Sequence, residues 1–156
     1  MATLTDEVEL LRKIPLFSSI DPGKLKLLAF ASDRKTYKDK QDLFKQGEAG
    51  DSAYVVVSGV ADIVVETDAG EVVVASLGAN EIIGEISILC DVPRTATVRA
   101  SGDLVTLKIK KEHFLGLVSQ VPELGIEVMR ELASRLSKTT AELSDARREL
   151  AAKMAG

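Results

Sequence analysis

Residues 82–100 read IIGEISILCDVPRTATVRA, and the fold and the chemistry of the chain both follow from them. Gly84 closes a short apolar strand, and Glu85 opens the segment EISILC, long enough for about one and a half helical turns. The first residues of a helix carry backbone N–H groups without intrahelical partners, so this start offers a local anion site even on an acidic protein. Pro93 then fixes the chain as it enters a strand in which Ala96, Val98 and Ala100 take the inward parity. Carrying that parity back places Arg94 toward the interior. A buried guanidinium without a partner costs several kcal/mol, so a carboxylate or a bound anion must stand opposite it. Glu85 is the internal candidate, which leaves two readings: a structural Arg94–Glu85 pair, or a phosphate site. Arginine presents a donor fork that suits phosphate, and the adjacent Thr95 hydroxyl can reach a second phosphate oxygen.

Around this stretch, residues 36–110 fall into short β-rich runs separated by turn residues: GEAGD (47–51), SG (58–59), TDAG (67–70), LGAN (77–80) and SGD (101–103). That spacing predicts a sandwich or barrel. The clearest strand is predicted over 104–110, with Val105, Leu107 and Ile109 on a buried face and Thr106, Lys108 and Lys110 on a wet one. A second strand, 95–100, alternates in the same way.

The flanks are helical. A short helix is predicted over 5–16, capped at Thr5 with Asp6 and Glu7 in its first turn, and a second follows the cap Asp21 and Pro22 through GKLKLLAFAS. From Pro122 onward no turn signal appears before Gly156, so one helix or two nearly continuous ones are expected. On a seven-residue grid Met129, Leu136, Leu143 and Leu150 share one seam position, with Leu132, Thr139, Ala146 and Lys153 at the other. The pattern fits self-association, or a helix folded back on the β-domain. Glu131 with Arg135, and Glu149 with Lys153, stand four apart in the favourable order. The chain is thus expected as a β-domain with its N-terminal helical segment, residues 1–121, and a C-terminal helix, residues 122–156.

Composition narrows the function. The 156 residues are 46% hydrophobic and 28% charged, and no apolar run approaches the roughly 20 residues of a membrane span. The acidic start MATLTDEVELLRK lacks the features of a signal peptide, so cytoplasmic residence is the expectation. One cysteine, Cys90, and one histidine, His113, make neither a disulfide nor a zinc cluster, and no metal or cofactor is expected. Cys90 is read as a small buried hydrophobe of the 85–90 helix, and His113 as a solvated surface residue. A net charge of −4 provides no general attraction for nucleic acid.

The string GEISILCDVPRTATVRA closely resembles the phosphate-binding cassette of cyclic-nucleotide-binding domains, the family shared by catabolite activator proteins, kinase regulatory subunits and several ion channels. The resemblance extends to IPLF (14–17), to the GEAGD turn leading into AYVVVSG (53–59), and to Phe114 and Leu117. It implies a mainly β fold, an eight-stranded β-roll of the double-stranded β-helix, jelly-roll-like type, with N-terminal helices and a long C-terminal helix. It also implies that Glu85 accepts the ribose 2′-hydroxyl, that Arg94 pairs with the cyclic phosphate and Thr95 adds a contact, and that backbone groups of Gly84, Ile86, Ser87 and Ala96 surround the sugar-phosphate. In RLSKTT (135–140), Thr139 and Thr140 would read the base from the C-terminal helix, which forms the homodimer in activator-like relatives. The resemblance implies ligand capture and no catalytic residue.

Lys40 and Asn80 stand where family members commonly have turn glycines. Asn80 reaches the left-handed region at modest cost, whereas Lys40 predicts a different local turn. Thr95 is compatible with cyclic GMP as well as cyclic AMP; Thr139 and Thr140 favour cyclic AMP. Three other readings compete: a piece of a catabolite activator-type transcription regulator, whose helix-turn-helix is not seen in these residues; a cupin-like enzyme, for which His113 alone is too few ligands; and a ligand-free dimerisation module, against which Glu85 and Arg94 speak. The downstream protein that would receive the signal is not legible.

Overall fold

The computed structural model describes residues 3–155. The elements run α1 (Leu4–Arg12), a 3-10 turn (Pro15–Phe17), α2 (Pro22–Phe30), β1 (Ser32–Tyr37), β2 (Asp42–Phe44), β3 (Ser52–Thr67), β4 (Gly70–Leu77), β5 (Ile82–Ile83), α3 (Glu85–Leu89), β6 (Thr97–Lys110), α4 (Lys111–Gln120) and α5 (Pro122–Ala155). All pairings are antiparallel, in the order β1-β6-β3-β4, with β2 added to β6 and β5 to β3. The mainly β roll with N-terminal helices and a long C-terminal helix is the architecture observed.

Among the described residues the roll has six strands rather than the eight implied above. The signals SG and SGD do not reverse the chain: Gly59 and Gly102 take φ of 90° and 81° inside β3 and β6, and the β3–β6 register shifts on both sides of Ser58. Glycine at positive φ serves a bulge as well as a turn, so two long bent strands replace four short ones.

The bend lets each long strand serve two apolar compartments. Ala53 and Val55 pack with the helices around Phe17, Phe114 and Leu124, while Tyr54 and Val56 face the roll interior with Ile83, Val98, Ala100 and Leu104. Residues 52–56 are accordingly buried on both faces. This overturns the simple wet face predicted for 104–110. Leu104 and Thr106 are fully buried and Val105 only half, because the strand crosses from one compartment to the other.

The first helix starts earlier and ends sooner than predicted. Thr3, not Thr5, is its cap: the Thr3 hydroxyl accepts from the Asp6 N–H at 3.2 Å, and the Asp6 carboxylate accepts from the Thr3 N–H at 3.0 Å. Asp21 caps α2 by accepting from the Gly23 N–H, with Pro22 in the first turn. Lys40, expected to avoid the left-handed region, adopts it with φ 70°, as does Asn80 with φ 73°. Neighbouring bonds hold the Lys40 turn: its N–H donates to Ala100 O at 2.8 Å, and Gln41 Oε1 accepts from the Lys38 N–H.

The C-terminal segment is one helix. Its first turns pack on the core through Leu124 and Val128, with Leu132 half-buried against them. Beyond Arg135 every described residue of the helix is exposed. The seam residues Met129, Leu136, Leu143 and Leu150 stay between 54% and 68% exposed, so one copy leaves this stripe open. Of the two predicted helical pairs, Glu131–Arg135 forms at 3.1 Å.

Candidate ligand pocket

Gly84 turns the chain from β5 into α3 with φ 83°, and a Cβ there would stand 2.5 Å from Arg94 Nη1. Only glycine meets both conditions. The turn places α3 at the mouth of a cavity of about 850 Å³ bounded by β5, the β3–β4 hairpin, the start of β6 and α5. Gly84, Glu85, Ile86, Ser87, Arg94, Thr95, Ala96 and Thr139 all line it; Thr140, one residue further round α5, does not.

Arg94 is 3% exposed and inward-facing, as its parity predicts. The loop 47–51 anchors its backbone, with Arg94 N donating to Glu48 O and Gly47 N donating to Arg94 O, each at 2.8 Å. Nη1 donates to Gly84 O at 2.9 Å and Ser87 Oγ at 2.8 Å, and Nη2 to Ser52 O at 2.6 Å. All three acceptors are neutral. The nearest carboxylate, on exposed Asp51, lies 3.8 Å away, and Nε has no partner. The Phe44 ring covers the guanidinium at 3.9 Å. Burial pulls the Arg94 pKa down, opposed by nearby Tyr54, Asp51, Glu48 and Glu85; arginine nevertheless keeps its proton.

The Arg94–Glu85 pair allowed by the sequence is not formed. Glu85, 3% exposed, instead accepts a bond from Arg135 Nη1 of α5, whose Nε donates to Glu131 at 3.1 Å. Burial pushes the Glu85 carboxyl above the usual carboxylate range, while Arg135 and its own backbone N–H pull it down. The pocket therefore holds two differently satisfied charges: a carboxylate in a close ion pair, and a guanidinium whose hydrogen bonds go to neutral acceptors with the exposed Asp51 carboxylate 3.8 Å away.

Thr95 is exposed and lines the pocket. Cys90 is exposed, contrary to its expected burial, because α3 stops at Leu89 and Asp91 takes φ 52° to lead the chain away. His113 is exposed as expected. The sequence reading missed Phe44, Ile63, Leu77, Ser134 and Lys138 in the lining, and assigned Arg135 only a helical pairing. The lone signal for Arg135 was its place in RLSKTT.

Residues 34–121 match the family model for the cyclic nucleotide-binding domain, more than half of the chain. The chain belongs to the cyclic-nucleotide-binding domain family. This domain is 31% identical over 131 residues to the cyclic AMP receptor protein of Thermus thermophilus, covering 83% of the chain and 60% of that protein. It is 30% identical over 115 residues to the cAMP-dependent protein kinase regulatory subunit of Blastocladiella emersonii, covering 73% of the chain and 28% of the relative. The crystal structure of the Thermus thermophilus catabolite activator protein superposes with a TM-score of 0.74 at 30% identity, covering 83% of this chain and 62% of that one. The regulatory subunit of a cAMP-independent protein kinase A from Trypanosoma brucei superposes with a TM-score of 0.72 at 25% identity, covering 81% and 47%. The domain thus spans less than two thirds of each of these proteins. No helix among its described residues is long and apolar enough to cross a membrane.

Proposed function

We propose that this cyclic-nucleotide-binding domain is a receptor for cyclic AMP, with cyclic GMP the alternative, which captures its ligand without turning it over. The observation that carries the reading is Arg94: a buried guanidinium hydrogen-bonded to neutral acceptors, its nearest carboxylate the exposed Asp51 at 3.8 Å and its Nε unpartnered, in the wall of a pocket of about 850 Å³. A phosphate supplies the counter-charge that burial demands, and the arginine fork matches its geometry. Thr95 adds a hydroxyl, Glu85 accepts the ribose 2′-hydroxyl, and the backbone of Gly84, Ile86, Ser87 and Ala96 closes round the sugar-phosphate. Thr139 on α5 faces the base; Thr140 lies outside the single-chain pocket.

The ribose hydroxyl and Arg135 then compete for Glu85. Ligand entry redistributes the Arg135 contacts and shifts α5 between two packings, which is a route from pocket to output. The exposed stripe from Met129 to Leu150 supports homodimerisation through α5. A separate protein receives the signal. Because one structural relative is cAMP-independent, the ligand must be decided by binding. Hydrogen exchange with and without cyclic AMP tests the whole reading: protection rises over residues 84–96 and changes along 122–143, whereas identical exchange in both states contradicts it.

A further inference from the structure

Phe44 ends a strand of only three residues, yet it is half-buried and lines the pocket. Its ring centroid is 3.9 Å from Arg94 Cζ and 5.8 Å from that of the Tyr54 ring, which is tilted to it by 36°. The edge atom Cε2 also sits 3.4 Å from where a Gly84 Cβ would stand, so the ring packs beside both the turn and the guanidinium. Arg94 meets Gly84 O, Ser87 Oγ and Ser52 O through its terminal nitrogens. Those bonds fix the guanidinium within its plane but restrain tilting out of it weakly. The missing restraint is supplied by a surface against the face of the group, and an aromatic face attracts a cation where an aliphatic one only fills space.

We propose that Phe44 is the positioning residue of the anion subsite, holding the Arg94 guanidinium by cation–π contact in the orientation that receives a phosphate. The proposal rests on the reading of Arg94 as the phosphate ligand. The face contact has no directional hydrogen bond to break. With its face covered and its terminal nitrogens bonded, the guanidinium keeps its unpartnered Nε–H available to a phosphate oxygen. The ring also excludes water from one side of the charge, which strengthens its attraction for an anion.

The test compares Phe44→Leu, which keeps an apolar side chain without a π face, with Phe44→Tyr, which restores the face. Cyclic AMP is the probe in calorimetric titration, thermal melting reports folding, and the 1H–15N resonance of Arg94 Nε in ligand-free protein reports the contact directly. Phe44→Leu is expected to weaken binding about tenfold while melting cooperatively, and to abolish the ring-current shift of Arg94. Phe44→Tyr restores both affinity and shift. Equal affinity losses in the two variants, or an Arg94 resonance unmoved by Phe44→Leu, overturn the proposal. If the wild-type protein binds no cyclic AMP, the function proposed above fails. The Arg94 resonance then still decides whether Phe44 holds the guanidinium.

Discussion

Glu85 is held by Arg135, fifty residues further along the chain, and not by the arginine of its own loop. The ion pair ties the start of α3 to α5, so the helix that carries the open apolar stripe is connected to the pocket through one buried carboxylate. Arg94, without that role, has the exposed Asp51 as its nearest carboxylate, at 3.8 Å.

Replacement of Arg135 separates these roles. Burial already holds the folded-state pKa of Glu85 above its unfolded value, and Arg135 limits the rise. The folded protein therefore takes up this proton first as pH falls, and the contribution of Glu85 to stability declines as pH rises from the ordinary glutamate range through its folded value. Arg135→Met raises that value further and widens the window. An NMR titration of the Glu85 side-chain carboxyl shows the upward shift, and pH-dependent melting shows the steeper loss; an unshifted titration contradicts the pairing.

Substitution of Arg94 by lysine keeps a charge and loses the fork. Nucleotide affinity is expected to fall about 100-fold or more, in the range seen when a buried charge contact is broken. The unfolding free energy of Arg94→Met is expected to change by no more than about 2 kcal/mol, since no close carboxylate is left stranded. Urea unfolding beside binding titration separates this outcome from a structural ion pair, whose loss would destabilise the fold strongly.

At Gly84 the strain is local and legible in energy. Gly84→Ala forces a side chain into the left-handed region, at about 1–2 kcal/mol, and pushes on Arg94 Nη1. Urea unfolding should show that loss together with weakened nucleotide binding; unaltered binding would mean that the position of Arg94 does not matter.

Along α5, Leu143 and Leu150 are more than half exposed in one copy. Sedimentation equilibrium is expected to find a dimer for the wild-type chain and a monomer for the Leu143→Glu, Leu150→Glu double variant, with the melting of the roll unchanged. A monomeric wild type removes the dimer from the account.

Local patterns carried much of this fold. The parity of Ala96, Val98 and Ala100 placed Arg94 inside, the Gly84–Glu85 step marked a helix start, and the unbroken periodicity after Pro122 gave a helical segment, left open as one helix or two, that forms the single helix α5. What failed was decided by tertiary context. Glycine at positive φ serves a bulge as readily as a turn, so Gly59 and Gly102 were mistaken for strand ends. The partner of Glu85 comes from a distant helix that no local spacing could connect to it, and Phe44 lies on a strand too short to show a period. Cys90 looked buried because its segment is apolar, but the helix ends before its next turn would bury it.

The central claim is that Arg94 is charged for a ligand's sake. The direct measurement is calorimetric titration of protein unfolded to strip co-purified nucleotide, then refolded, with cyclic AMP and cyclic GMP against wild type and Arg94→Ala. Saturable binding by the wild type, tighter for cyclic AMP and lost in Arg94→Ala, is the result predicted. A well-folded wild type that binds neither nucleotide, or an Arg94→Ala protein that binds as tightly, would contradict it.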